Sequence, residues 1–199
     1  PSLSQSLLPR VTTRFLSSRP NVSVFVQSLP SRQVADLVAT RQFDIGLIEL
    51  PMARPSISVE PLVPARSVAV IPANHRLASK KQISVKDLAG ERMVLLSQHS
   101  FLRYQIDDAF SKLGVVPHVV LETPHSNIAC AFAAAGAGIT LVSHWAAESF
   151  SGPNVVVRPV KEELTSRSAI IFPYPGARLM LAEAFAKEIK EEIRQFKQR

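Results

Sequence analysis

Short polar clusters recur along this 199-residue chain beside apolar runs, and their residue types suit ligand binding. The clusters contain Ser4 and Gln5, Ser28 and Ser31, Ser97 and Ser100, and Thr123 and Ser126. In parallel α/β sheets the ligand crevice lies at the carboxyl ends of the strands. Helix N-termini there offer N–H groups and a positive dipole end, which suit a carboxylate. Any one of these serines, taken alone, could serve simply as the cap of its helix. Together, however, they predict a small-molecule site.

Three charged residues extend this predicted site. Glu49 and Glu122 stand near the ends of predicted strands, where either could pair with a ligand amine. Arg103 follows the cluster at 97–100 and could bind a second carboxylate through two parallel N–H bonds. The alternative for each is a solvent-facing side chain, since most charged residues are exposed.

Motifs for catalysis and for cofactors are missing from the sequence. It contains no G-x-S-x-G, no phosphate-binding loop and no G-x-G-x-x-G. Gly136-Ala137-Gly138 joins a predicted helix to the following strand, so we interpret it as a tight turn. The five histidines have no metal-ligand spacing, and Cys130 lies among alanines as a small apolar residue. We therefore expect no catalytic residue, no metal and no cofactor.

Alternating strands and helices must position the polar clusters. The predicted strands cover residues 22–26, 44–48, 67–71, 93–96, 119–121, 139–142, 155–157 and 168–172. Ser31 and Ser100 are predicted N-caps, Ser84 and Asp87 form a predicted capping box, and a long helix is expected over 177–197. This alternation predicts an α/β fold with mainly parallel sheets. The strands are too many for one five-stranded unit, so we expect two lobes, with crossings near 60–67 and 157–165.

The charge balance of 23 − 16 = +7 first suggests nucleic-acid binding. The basic residues are scattered, however, and the last helix mixes them with glutamates, so no stripe tracks a phosphate backbone. The sequence also has no apolar run of the ~18 residues needed to cross a bilayer and no segment typical of a signal peptide. We therefore expect neither a membrane partner nor DNA contact through this chain.

Several segments, taken in order, resemble a known family. They are residues 4–9 (SQSLLP), 43–47 (FDIGL), 70–78 (VIPANHRLA), 87–91 (DLAGE) and 135–139 (AGAGI). This series resembles the effector-binding domain of LysR-type transcriptional regulators, although Arg76 replaces a proline common in the family. Residues 1–9, 97–105 and 121–140 look closest to regulators of lysine synthesis and to opine- or amino-acid-sensing relatives.

The resemblance implies two Rossmann-like lobes joined by two crossing strands, a type 2 periplasmic-binding-protein-like fold. Lobe I would hold residues 1–64 and 161–199, and lobe II residues 65–160. A helix-turn-helix DNA-binding domain would precede this chain and be absent from it, as would the first strand of lobe I. Dimers and tetramers would form through helices near 6–18 and 100–113, in a cytoplasmic protein.

The resemblance also implies a small-molecule effector bound between the lobes, with transcription as the output. The expected effector carries a carboxylate and is amino-acid-like or opine-like. The candidate contacts are Ser4, Gln5, Ser31, Glu49, Ser97, Ser100, Arg103, Glu122, Thr123 and Ser126. Two other classes stay open: a periplasmic solute-binding protein, and a dehydratase-type enzyme on the same fold.

Overall fold

The computed structural model describes residues 2–150 and 152–196, and the chain divides into two compact units. The first unit contains Leu3–Pro64 and the described residues from Arg167 onward, and the second contains Ala65–Ser166. The helices are α1 (Ser2–Ser6), α2 (Leu8–Ser17), α3 (Ser31–Ala39), α4 (Phe101–Ser111), α5 (Ser126–Ala134), α6 (His144–Glu148) and α7 (Met180–Phe196). The strands are β1 (Gly46–Glu49), β2 (Ile57–Pro61), β3 (Ala65–Pro72), β4 (Arg92–Leu96), β5 (His118–Thr123), β6 (Thr140–Ser143), β7 (Val155–Pro159), β8 (Thr165–Ser166) and β9 (Ser168–Pro173).

The first unit is built on a three-stranded sheet with β9 in the centre. β1 and β2 flank it, both antiparallel. Helix α3 packs on this sheet through Ala35 and Val38. Helices α2 and α7 lie against each other, with the rings of Phe15 and Phe185 edge to face at 5.0 Å. Arg14 joins the same two helices through Glu188 and Glu192, at 2.6 and 2.7 Å.

The second unit has its strands in the order β5-β4-β6-β3-β7. β4 and β5 are parallel, and Ile139 connects β4 to β6 by a parallel bridge with two backbone hydrogen bonds of 2.8 Å. β3 runs antiparallel to both β6 and β7. The carboxyl ends of β4, β5 and β6 therefore share one edge with the beginning of β3. The unit has its own apolar core between this sheet and helices α4 and α5.

The prediction of mainly parallel sheets is wrong for the strand pairs that the structure describes. Only the contacts of β4 with β5 and with the start of β6, and an isolated bridge at Ile83, are parallel. The named strands β3 and β9 run antiparallel to their neighbours. Each of these two strands begins just after the chain crosses from one unit to the other, and each runs opposite in direction to the strands beside it.

The predicted strand over 22–26 is also absent. The segment is extended but forms no ladder with any described residue, and Phe25 is 77% exposed. Alternating side chains favour a strand, but a strand needs a hydrogen-bonded neighbour. Helix α7 begins at Met180 rather than near 177, so Leu179 is exposed outside its apolar face. The predicted helix end at Lys197 and the side chain of Phe196 lie outside what the structure describes.

Residues 161–166 lie with the second unit, whereas the sequence predicted a boundary before Lys161. Three contacts hold them there. The Lys161 N–H donates to Ile83 at 2.8 Å, Leu164 is buried in that unit's core, and β8 pairs with the first residues of β3. The chain therefore passes between units at Pro64–Ala65 and at Ser166–Arg167.

The capping box predicted at Ser84 is confirmed. Its Asp87 carboxylate bonds Lys80 at 2.5 Å and the Ser84 N–H at 2.9 Å. The bond from Lys80, followed by those from Ser84, lowers the pKa of Asp87 from 3.8 to about 2. A carboxyl whose pKa falls on folding stabilises the protein above its unfolded pKa, and this contribution is lost as the pH falls toward 2.

Asp87→Asn is therefore expected to lower the free energy of unfolding by about 1 kcal/mol at pH 7. Urea unfolding at pH 7, 5 and 3 should show the difference from the wild type shrinking as the pH falls. Asp108→Asn is the matched control, because Asp108 pairs with Lys112 on an exposed helix face. A deficit of Asp87→Asn that is equal at all three pH values would contradict the assigned role of the carboxylate.

Candidate functional site

One edge of the second unit's sheet gathers the polar residues that follow its strands. We call residues 97–100, residues 123–126, Ser143 and Ser67 the polar edge. β4, β5 and β6 end at this edge, and Ser67 of β3 lies opposite Ser143 in the antiparallel register. The edge belongs wholly to the second unit.

Backbone hydrogen bonds hold the first two loops of the polar edge together. The Ser97 N–H donates to the Thr123 carbonyl at 3.0 Å, and the Ser100 N–H donates to the Ser97 carbonyl at 3.0 Å. The His125 N–H donates to Oγ1 of Thr123 at 3.3 Å. Thr123 is buried. The structure thus brings Ser97, Ser100 and Thr123 into one hydrogen-bonded group.

Three helices begin at this edge without side-chain caps, namely α4, α5 and the five-residue α6, whose N-cap is Ser143. Ser100 is the N-cap of α4, as predicted, and His125 is the N-cap of α5, but neither side chain makes a capping hydrogen bond. Ser126 is the first residue of α5. Such helix starts carry backbone N–H groups and positive partial charge toward the edge. The N–H groups at these helix starts can donate hydrogen bonds to the oxygens of a small anion.

Arg103 is not the solvent-facing side chain of the alternative interpretation, because it is only 6% exposed. Its Nε donates to both carboxylate oxygens of Asp107 at 2.9 Å, and its Nη1 donates to the Leu96 carbonyl at 2.8 Å and to Glu122. Burial alone would lower the pKa of Arg103, but the bonds to Asp107 and Glu122 outweigh it and raise the pKa. The guanidinium is therefore already paired with two of the protein's own carboxylates.

Glu122 already has a partner within the protein. Its Oε1 accepts a hydrogen bond from Arg103, although 42% of its side chain is exposed. Arg103, Asp107 and Glu122 together carry one positive and two negative charges. The group joins the ends of β4 and β5 to helix α4, and it leaves a net charge of −1 beside the polar edge.

Of the predicted residues of the first unit, the structure joins Ser31 and Glu49. Oγ of Ser31 accepts the Glu49 N–H at 2.9 Å, which joins the start of α3 to the end of β1. Ser31 is the first helical residue rather than the N-cap, which is Pro30. Proline presets the φ of the residue before the helix, so the helix starts one residue earlier than predicted. Ser4 is half-buried and Gln5 exposed, both in α1.

Sequence reasoning missed Ser67 and Ser143 of the polar edge and the adjacent His144. Ser143 and His144 follow the predicted strand at 139–142, so the pattern used for the other clusters could have found them. Nδ1 of His144 lies 3.3 Å from the Arg66 carbonyl. Burial lowers the pKa of His144, and the contact with Arg66 partly opposes this. Ser67 lies inside a strand, where the sequence offers no comparable signal.

The residues that the structure describes do not suggest metal or thiol chemistry. Among them, no group of three or more His, Cys, Asp or Glu is placed to hold a metal ion. Burial raises the pKa of the Cys130 thiol to about 12, so it is not a thiolate at neutral pH. In the same described ranges, no helix is long and apolar enough to cross a membrane.

The two α/β units and their polar strand ends define a class of protein. The fold is that of the effector-binding domains with a type 2 periplasmic-binding-protein-like architecture. A family model described as the LysR substrate binding domain matches residues 1–194. The chain belongs to this family.

Named relatives agree with the family. The chain is 29% identical over 189 residues to Regulatory protein NocR of Agrobacterium tumefaciens, covering 95% of this chain and 63% of the relative. It is 28% identical over 188 residues to the octopine catabolism/uptake operon regulatory protein OccR of Rhizobium meliloti, covering 94% and 62%. The chain thus spans less than two thirds of either relative. Their names favour regulation over catalysis.

A solved structure supports the fold. HinK, a LysR family transcriptional regulator from Pseudomonas aeruginosa, superposes with a TM-score of 0.82 at 22% identity. The match covers 96% of this chain and 67% of HinK.

Proposed function

We propose that this chain is the effector-sensing domain of a transcription regulator and that its effector is a small carboxylate, amino-acid-like or opine-like. The observation that carries the proposal is the pair of helix starts at Ser100 and His125, which meet at one polar edge without side-chain caps. The backbone N–H groups at a helix start without a side-chain cap can donate hydrogen bonds to a carboxylate oxygen. The opine named for the relative OccR has this chemistry, since octopine carries carboxylate, ammonium and guanidinium groups.

In this proposal the carboxylate is bound by backbone N–H groups and hydroxyls rather than by Arg103. Its guanidinium is engaged by Asp107, Glu122 and the Leu96 carbonyl. Asp107 and Glu122 are both 42% exposed, so water can solvate them when the guanidinium leaves. Moving the guanidinium away from the Leu96 carbonyl, however, would leave that buried carbonyl without its donor, which costs stability. Ser97, Ser100, Thr123 and Ser126 supply the contacts of the second unit, and Ser143 joins them.

The cationic part of the effector would be attracted by the net negative charge of Arg103, Asp107 and Glu122. The exposed part of Glu122 faces solvent and can approach an ammonium group. Ser4, Gln5, Ser31 and Glu49 remain the candidate contacts of the first unit, where the Glu49 N–H donates to Oγ of Ser31 at 2.9 Å.

The remaining expectations belong to the intact regulator. We propose that it is cytoplasmic, that it acts as a dimer or tetramer and that it contacts DNA through residues outside this chain. Leu7, just before α2, and Val11 and Phe15 within it are buried in this chain, so only the outer face of α2 would serve a partner. Helix α4 carries Tyr104, which is 67% exposed, and Leu113 follows it.

The binding proposal is tested by calorimetric titration of the chain with octopine, lysine and benzoate. Octopine or lysine is expected to bind more tightly than benzoate, which has a carboxylate but no ammonium group. Ser4→Ala, Ser31→Ala and Ser100→Ala should each weaken that binding by about fivefold or more, as for the loss of one hydrogen bond.

Ser79→Ala is the matched control, because Ser79 is exposed in the second unit and its hydroxyl donates to the nearby Arg76 carbonyl. It should leave the affinity unchanged. Equal affinity in the wild type, Ser4→Ala and Ser31→Ala would refute the proposed site. Measurable turnover of the bound ligand would instead favour an enzyme.

A further inference from the structure

Two side chains of helix α4, those of Arg103 and Gln105, form hydrogen bonds with backbone groups outside the helix. Arg103 donates from Nη1 to the Leu96 carbonyl at the polar edge, at 2.8 Å. Gln105 bonds Thr165 twice: its Oε1 accepts the Thr165 N–H at 3.0 Å, and its Nε2 donates to the Thr165 carbonyl at 2.7 Å. A single side-chain amide thus makes the two hydrogen bonds that a neighbouring strand would make.

Thr165 belongs to the segment through which the chain leaves the second unit. Residues 165–166 form β8, which pairs with Ala65 and Arg66, the first residues after the other passage between units. The Ser67 N–H donates to the Leu164 carbonyl at 2.9 Å. In an antiparallel ladder, successive residues turn their backbone groups to opposite sides. The N–H and carbonyl of Thr165 therefore face away from β3, and Gln105 occupies that open side.

The two attachments lie on different sides of α4. Residues two positions apart on a helix are separated by about 200°, so Arg103 and Gln105 cannot contact the same neighbour. Residues 97–100 lead directly into the helix, and the Tyr104 N–H donates to the Ser100 carbonyl at 3.2 Å. A shift of these residues is thus transmitted to the first turns of α4, which carry Gln105.

We propose that Gln105 is a positioning residue for the effector response, coupling residues 97–100 of the polar edge to the crossing segment at Thr165. The inference rests on the proposed function in one respect, namely that residues 97–100 contact the effector. Helix α4 acts as a short rigid element between the two places. A change at the effector loop then alters the backbone at the point where the chain leaves the unit.

The coupling is tested without any ligand, by NMR measurement of amide hydrogen exchange in the whole chain. Gln105→Met removes both bonds to Thr165 at similar side-chain length. It should speed exchange of the Thr165 N–H by about tenfold, and exchange of the Ser97 and Ser100 N–H groups by about threefold. The amides of Val94 and Ile139 in the sheet should keep their wild-type rates.

Lys112→Met is the control on the same helix, since Lys112 is exposed and bonds Asp108. It should change none of these rates. If Gln105→Met folds poorly, Gln105→Glu keeps the acceptor for the Thr165 N–H and should give the same pattern with smaller changes.

Two results overturn the coupling. In one, the Thr165 N–H exchanges faster while the exchange rates of Ser97 and Ser100 are unchanged, which would show that Gln105 stabilises only Thr165. In the other, all amides of the second unit accelerate equally, which reports global destabilisation. Because no ligand is added, a failed titration with octopine or lysine would refute the proposed function and leave this measurement unaffected.

Discussion

Replacing Arg103 with methionine is expected to lower the free energy of unfolding of the second unit by about 3 kcal/mol. The guanidinium is buried and bonds two carboxylates and one backbone carbonyl. Methionine fills much of the volume but leaves the Leu96 carbonyl without its donor and the two carboxylates without a counter-charge. Because Glu122 is partly exposed, water solvates its carboxylate when Arg103 is removed and reduces the loss of stability. We therefore expect a value at the lower end of the range for breaking a buried ion pair.

Urea unfolding followed by tryptophan fluorescence measures this loss. Trp145 is the only tryptophan of the chain and lies in the second unit, so its signal reports on that unit. Glu122→Gln alone should cost less, and a double-mutant cycle should give a coupling energy of about 1 to 2 kcal/mol. A loss below about 0.5 kcal/mol for Arg103→Met would place it among ordinary surface substitutions and contradict the assigned role.

Gly138→Ala is expected to have an effect of similar size for a different reason. A Cβ at position 138 would lie 2.5 Å from the backbone carbonyl oxygen of Arg92. The same stretch of backbone forms the bridge between β4 and β6, because the Ile139 N–H donates to that carbonyl at 2.8 Å. The strands must separate to admit a methyl group, at a cost of about 3 kcal/mol or more.

Gly136 provides the comparison within the same turn. It has φ +85° and nothing within 4 Å of an added Cβ, so only its backbone conformation opposes a side chain. Asparagine tolerates this conformation. Gly136→Asn should therefore cost about 1 kcal/mol or less, whereas Gly138→Asn should abolish stable folding. Thermal unfolding of both variants separates the two causes, and equal costs would contradict the close approach at Gly138.

Local features of the fold could be predicted from the sequence. The capping box at Ser84 and Asp87 depends on residues three positions apart, and its signature is short. The polar clusters at 97–100 and 123–126 follow apolar runs directly, so their place at strand ends could be predicted from neighbours in sequence. These features need no knowledge of which strands pair.

Features that depend on distant partners could not be predicted. Arg103 is buried because Glu122, nineteen residues away, and the end of β4 converge on it, and no local pattern marks this. Residues 22–26 alternate like a strand, but alternation does not supply a neighbour to pair with. The hydrogen bonds of Gln105 to Thr165 join residues that are sixty positions apart, and no spacing pattern in the sequence indicates them.

If a small carboxylate binds at the polar edge, an octopine titration followed by backbone amide NMR shifts should show saturable shifts at residues 97–100, 123–126 and 143–144. Shifts concentrated elsewhere, for example around Glu60, Arg178 and Lys190 in the first unit, or no saturable shift with octopine or lysine, would contradict binding at this edge.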